Sequence, residues 1–78
     1  MPIDDEVLAR IKLRRRLPPP SMRRQLREQA GVSQSDIAAV VGVSRECVSM
    51  WESGPRVPRG QNLERYLAFL ERLARESV

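Results

Sequence analysis

The chain has 78 residues, the size of one small domain, and its formal charge of +4 with a pI near 10.6 favours a polyanionic partner. It contains one cysteine and no histidine, which excludes an intramolecular disulfide framework and indicates no metal or other cofactor. Because no apolar run approaches the length of a membrane span and no signal peptide is recognisable, we expect a cytoplasmic protein with no membrane partner.

Residues 1–17 are predicted to form a basic amphipathic N-terminal arm containing one helix. Acidic residues favour a helix start, with Asp4 as the N-cap. The predicted apolar stripe comprises Ile3, Val7, Leu8 and Ile11. Between Arg10 and Arg27 the chain carries eight basic residues and no acidic one. Such a run suits contact with a DNA backbone or minor groove, and it equally suits a solubilising tail.

Residues 18–21, which include three consecutive prolines, are predicted to form a stiff polyproline II spacer between the arm and the domain that follows. Ser21 is the predicted N-cap of a helix from Met22 to Ala30, and Gly31 is predicted to end it. The inward face of this helix is predicted to comprise Met22, Leu26 and Ala30.

The stretch from Ser33 to Gly54 predicts two short helices joined by a tight turn. Ser33 and Asp36 have nearly the pattern of a capping box, and apolar residues then follow at helical spacing. Gly42 interrupts this spacing and can take the positive φ that a tight turn needs. Ser44 is a second N-cap, and Gly54 is predicted to end the second helix. This order of elements is typical of a helix-turn-helix.

The second of these helices, residues 45–53, is predicted to have two different faces. Val48 and Trp51 point inward, with Cys47 at the edge, where we interpret the thiol as a small hydrophobe rather than a redox switch. The outward face is predicted to comprise Arg45, Glu46, Ser49 and Met50. A single helix fits a DNA major groove, where its exposed side chains meet base edges. Spacing alone equally allows an ordinary solvated face.

Two prolines predict a loop over residues 55–58. One long helix is predicted from about Gly60 to about Glu76, because no further glycine or proline interrupts it. Its apolar face is predicted to comprise Leu63, Tyr66, Leu67, Leu70, Leu73 and Ala74, with Phe69 beside it. On the opposite face, Glu71 and Arg75 are spaced for an ion pair.

The central stretch resembles the helix-turn-helix of the xenobiotic-response-element (Cro/C1-type) regulators. The residues that carry the resemblance are Gln34, Ile37-Ala38, Gly42, Val43-Ser44 and Trp51-Glu52-Ser53-Gly54. The similarity extends from about Met22 to Leu73. It implies an all-α fold, a compact lambda-repressor-like bundle over residues 22–76 with a long C-terminal helix, to which the N-terminal helical arm is added.

The resemblance also implies roles for individual residues. Arg45 would bond O6 and N7 of guanine, and Ser49 would contact a base or a phosphate. Glu46 would either accept from cytosine N4 or repel phosphate, and Met50 would either contact a thymine methyl group or pack against Trp51. For phosphate contacts the resemblance implies Gln34. Ser44, Arg56, Arg59 and Arg23 are further predicted phosphate contacts, and the charges of the arginines equally allow plain solvated residues.

A structural ion pair between Arg27 and Glu52 is a further implication of the resemblance. Glu52 lies at the end of its helix, where a negative charge opposes the helix dipole and therefore needs a partner. The pair would join the first helix of the domain to residues 45–53, which we refer to as the recognition helix.

No catalytic constellation is recognisable, so the chain is not expected to be an enzyme. We expect a sequence-specific regulator of transcription that binds double-stranded DNA, a homodimeric repressor of phage or mobile-element type. It would be nucleoid-associated and would place residues 45–53 in the major groove. Two alternatives stay open: an antitoxin-like or adaptor module with a protein partner, and an excisionase-like DNA architectural factor.

Overall fold

The computed structural model describes residues 4–76, and over that range the chain folds into five α-helices without a strand. The helices are α1 (Asp5–Arg16), α2 (Pro20–Gln29), α3 (Gln34–Val41), α4 (Arg45–Ser53) and α5 (Gly60–Glu76). The predicted all-α class and the single long final helix are therefore confirmed. None of the helices in the described range combines the length and apolar composition that a bilayer crossing requires.

Helix α1 begins at the predicted cap and packs against α5. The Asp4 side chain accepts a hydrogen bond from the Glu6 amide at 2.7 Å, and three arginines in the last turn complement the helix dipole. No residue of α1 is buried. Val7 and Ile11 of the predicted apolar stripe are exposed, whereas Leu8 is half-buried. Ile3, the other predicted member, lies outside the described residues.

Helix α2 begins at Pro20, so the predicted cap at Ser21 is wrong and residues 20 and 21 belong to the helix rather than to a spacer. The N-cap position is Pro19, which makes no side-chain hydrogen bond to the helix. A proline is tolerated at the first helical position because that amide has no partner within the helix in any case. The proline run therefore starts the helix as well as separating it from α1.

The inward face of α2 also differs from the prediction. Met22 is 45% exposed and Ala30 is exposed, so neither packs inward, and only Leu26 is half-buried as expected. The buried residue of this helix is Arg23, at 7% exposure. Its guanidinium donates hydrogen bonds to backbone carbonyls inside the protein. The hydrophobic pattern of the sequence does not predict these bonds.

Helices α3 and α4 form the predicted helix-turn-helix. Ser33 and Asp36 make a complete capping box, in which each side chain accepts from the other residue's backbone amide at 3.0 Å. The hydrogen bond from the Ser33 backbone amide is the main cause that lowers the pKa of Asp36, and the hydrogen bond with the Ser33 side chain adds to it. Gly42 takes the left-handed conformation in the turn, with φ of 88°. The Ser44 hydroxyl then caps α4 by accepting from the Cys47 amide at 3.2 Å.

The core lies where α3, α4 and α5 meet. Its fully or nearly fully buried members are Ile37, Ala38, Val41, Val48, Trp51, Tyr66 and Leu70. The Trp51 and Tyr66 rings pack with centroids 4.8 Å apart, and burial raises the pKa of Tyr66 to about 12. This packing holds the inner face of α4 on α5, so the outer face of α4 has a fixed orientation on the surface.

The predicted apolar face of α5 is buried apart from Ala74, which is exposed. Glu71 does not pair with Arg75 as predicted. It forms an ion pair with Arg16 instead, with Nη2 and Oε1 2.6 Å apart. This bond joins the last turn of α1 to α5 across 55 residues of sequence.

Candidate nucleic-acid interface

The outer face of α4 carries the four side chains predicted to contact bases. Arg45, Glu46 and Met50 are exposed and Ser49 is half-buried, whereas the opposite face packs into the core. The helix therefore presents a guanidinium, a carboxylate, a hydroxyl and a thioether together on one side. These groups match the donors, acceptors and methyl groups that base pairs show in a major groove.

The C-terminal end of α4 is held in place by the ion pair between Arg27 and Glu52. Arg27 donates from Nε to Oε2 at 2.6 Å and from Nη2 to Oε1 at 2.9 Å, which is a two-pronged contact. The two side chains are only 12% and 4% exposed. Arg27 also donates to the Val32 carbonyl at 3.0 Å. The hydrogen bonds to Glu52 raise the pKa of Arg27. The pair ties α2 to the end of α4.

Gln34 connects this ion pair to the outer face of α4 through hydrogen bonds of its side-chain amide. Its Nε2 donates to Glu52 Oε1 at 3.1 Å, and its Oε1 accepts from Arg45 Nη1 at 3.4 Å. The sequence assigned Gln34 only to a DNA phosphate and did not indicate these two contacts. The side-chain amide of Gln34 therefore connects Glu52, at the C-terminal end of α4, with Arg45, the first residue of that helix.

Arg45 keeps most of its hydrogen-bonding capacity for a ligand. Its Nη2 lies 3.8 Å from Glu46 Oε1, and both side chains are more than half exposed. An exposed ion pair at this distance is worth less than about 1 kcal/mol. The contact orients the guanidinium without neutralising it, so Arg45 can still approach the two acceptors of a guanine.

Arg23 is not available to DNA, which corrects the predicted phosphate contact. Its Nε donates to the Pro18 carbonyl at 2.6 Å and its Nη1 to the Trp51 carbonyl at 2.9 Å. Burial lowers the pKa of Arg23. The Trp51 carbonyl is among the last of α4, where carbonyls lack helical partners. Arg23 thus braces the end of α4 against the chain that enters α2.

The other predicted phosphate contacts lie on the surface around α4. Gln34 is the first residue of α3, and Ser44 precedes α4, where its hydroxyl oxygen accepts from the helix and its proton remains free to donate. Arg56 and Arg59 are exposed in the segment between α4 and α5. No ion pair involves either arginine within residues 4–76. These four residues surround both ends of the recognition helix.

One contact behind the turn had no signal in the sequence. Arg65 of α5 donates from Nη1 to the Val41 carbonyl at 3.3 Å, at the end of α3. The contact gives a partner to one of the carbonyls that a helix end leaves open. It therefore holds the turn between α3 and α4 onto α5.

A comparison with known families supports this geometry. The family model HTH_3, described as helix-turn-helix, matches residues 24–75, which is well over half of the chain. The match begins within α2 and ends in the last turn of α5, so it leaves α1 and the proline run outside. Comparisons with curated proteins and with solved structures gave no match.

Proposed function

We propose that this chain, which belongs to the Cro/C1-type helix-turn-helix family of DNA-binding regulators, is a sequence-specific regulator of transcription that inserts α4 into the major groove. The observation that carries the proposal is the division of α4 into two faces. One face is buried in the core, and the other presents Arg45, Glu46, Ser49 and Met50 to solvent.

In the proposed complex, α4 supplies the base contacts. A major groove about 12 Å wide admits one helix. Arg45 bonds a guanine edge, and Ser49 and Met50 contact neighbouring bases. Glu46 accepts from a cytosine amino group or excludes wrong sites by repelling phosphate. These contacts give the preference for one sequence.

The residues around α4 supply affinity rather than preference. Gln34 and Ser44 stand at helix N-termini, whose free amides and dipoles favour phosphate. Arg56 and Arg59 offer their charges to the backbone on the other side of α4. Phosphate contacts of this kind fix the position of a protein on the duplex but carry no sequence information.

A homodimeric repressor is the form that we propose. One helix of nine residues reads few bases, and a two-fold dimer doubles the site. The proposed interface is the groove between the end of α2 and the last turns of α5, where Phe69 is half-buried. A dimer bound across a promoter competes with polymerase, which gives repression. Such a protein acts in the cytoplasm, at the nucleoid.

Selection of duplexes from a random pool by the full chain tests the proposal. We expect an enriched inverted repeat that is bound with a steep salt dependence. Salt-dependent binding without an enriched sequence would instead favour an excisionase-like architectural factor. Absence of DNA binding, with stoichiometric binding of a protein partner, would favour an antitoxin-like or adaptor module.

A further inference from the structure

A second basic surface lies mostly outside the region that matches the family. A groove runs between α1 and the start of α5, and we refer to it as the arm groove. Its cationic lining residues are Arg10, Lys12, Arg14, Arg16 and Arg59. Its acidic lining residues are Glu6 and Glu64. The arm groove therefore carries an excess of positive charge along its length.

The charges of α1 are held in place relative to the helix bundle. Arg16 is bonded to Glu71 of α5, and Leu8 and Leu13 of α1 are half-buried. Arg10 and Arg14, by contrast, are exposed, and no ion pair joins either of them to another residue in the described part of the chain. A cation that is positioned by a helix but has no protein partner is available to an anion.

The arm groove and the proposed DNA interface share Arg59. Arg59 lines the arm groove and also follows the recognition helix by six residues. The neighbouring Pro58 is buried, which anchors this segment to the bundle. Helix α5 begins at Gly60 in the same groove, and the positive end of its dipole adds to the attraction for anions.

We propose that the arm groove binds the phosphate backbone of the same DNA duplex, beside the half-site that α4 occupies. This inference rests on the proposed function and extends its footprint. Arg10, Arg14 and Arg59 contact phosphates in succession, so α1 adds affinity without sequence preference. A lipid surface fits less well, because α1 has no aromatic residue and only Val7 and Ile11 as exposed large apolar residues.

The test compares two double variants of the full chain. Arg10→Gln/Arg14→Gln removes two charges from the arm groove. Arg24→Gln/Arg75→Gln removes two exposed charges that line neither the arm groove nor the groove proposed for the dimer, and serves as the control with equal net charge. The probes are the selected duplex and a mixed-sequence duplex of the same length. Affinity is measured over a series of salt concentrations, and the contacted phosphates are mapped by ethylation interference.

The arm-groove variant is expected to lower the slope of log K against log salt by about 1.8 per bound subunit, and so by about 3.6 for a dimer on both half-sites, since each lost phosphate contact removes about 0.9. The loss should be equal on both probes, the enriched sequence should be unchanged, and ethylation interference should disappear outside the half-site. The control should retain the slope of the unchanged chain, and unfolding curves should show that both variants fold.

An equal slope for the two double variants would overturn the inference. So would a loss of binding to anionic phospholipid vesicles, in the arm-groove variant only, with DNA binding intact. Either outcome leaves the proposed function standing if the unchanged chain still enriches a sequence. If the unchanged chain binds no duplex at all, the proposed function itself fails, and the two failures are thereby distinguished.

Discussion

Arg45 and Arg59 carry the same charge but are placed for different tasks. Arg45 lies on the outer face of α4 and is oriented by Gln34. Arg59 is exposed in the segment after α4 and so is not part of the helix that carries the proposed base contacts. The proposed function therefore assigns specificity and affinity to separate residues, and this assignment can be measured.

Arg45→Ala is expected to cost about 1–3 kcal/mol at the selected site and to relax one base position, because a two-pronged bond to guanine is lost. Arg59→Ala is the matched comparison. It removes the same charge but should weaken all sequences alike and flatten the salt dependence. Repeating the selection with both variants measures the difference. An unchanged motif for Arg45→Ala would contradict the assignment of the outer face of α4.

We expect a strong coupling energy between Arg27 and Glu52, the ion pair at the C-terminal end of α4. Arg27→Met or Glu52→Gln alone leaves a nearly buried partner unsatisfied, so each is expected to cost about 3–5 kcal/mol of unfolding free energy. The double variant should cost much less than the sum. Urea unfolding of the four proteins completes the cycle.

The pair between Arg72 and Glu76 is the control for this cycle. Its atoms are 3.5 Å apart and both side chains are 70% exposed, so its coupling should lie below about 1 kcal/mol. Additive losses at Arg27 and Glu52 would show that the buried pair contributes no more than the exposed one.

At the scale of whole helices, the sequence predicted what depends on near neighbours. The caps at Asp4, Ser33 and Ser44 each bond an amide two or three residues away, so local spacing reveals them. The positive φ of Gly42 follows from its place between two helical patterns. The start and the continuity of α5 follow equally from the absence of a breaker.

The inward face of α2 and the partner of Glu71 were predicted wrongly, because both depend on residues distant in the sequence. The inward face of α2 is decided by Arg23, whose acceptor at Trp51 is 28 residues away. Glu71 prefers Arg16, 55 residues away, to a neighbour on its own helix. At the site, the pairing of Arg27 with Glu52 could be predicted only through the family resemblance. The contacts of Gln34 with Glu52 and Arg45 could not be predicted from the sequence.

Arg23→Met is therefore expected to act on the stability of α4 and not on phosphate binding. It leaves the carbonyls of Pro18 and Trp51 without their donor, which should cost about 1–3 kcal/mol in urea unfolding. The slope of log K against log salt should stay unchanged. Arg24→Met, at the exposed neighbouring position, is the control and should leave stability nearly unchanged. A lower salt slope for Arg23→Met with full stability would restore the phosphate role.

At the scale of the whole molecule, residues 4–76 form two surfaces to which we assign partners. The outer face of α4, the segment after it and the arm groove form the surface that we assign to DNA. The groove that contains Phe69 lies elsewhere, between the end of α2 and the end of α5. Because the two are formed by different residues, the proposed dimer contact uses none of the residues that we assign to DNA.

The proposed dimer predicts a two-to-one complex on an inverted repeat whose half-sites are about 34 Å apart. Phe69→Gln should raise the dimer dissociation constant about thirtyfold, since truncating a central aromatic residue costs about 2 kcal/mol. Val7→Gln/Ile11→Gln, which alters the exposed apolar residues of α1, is the control and should leave dimerisation unchanged. Sedimentation at micromolar concentration, with and without DNA, measures both effects. A strict one-to-one complex on an asymmetric selected site would rule out the dimer, whereas a loss of dimerisation only in the α1 variant would move the interface to α1.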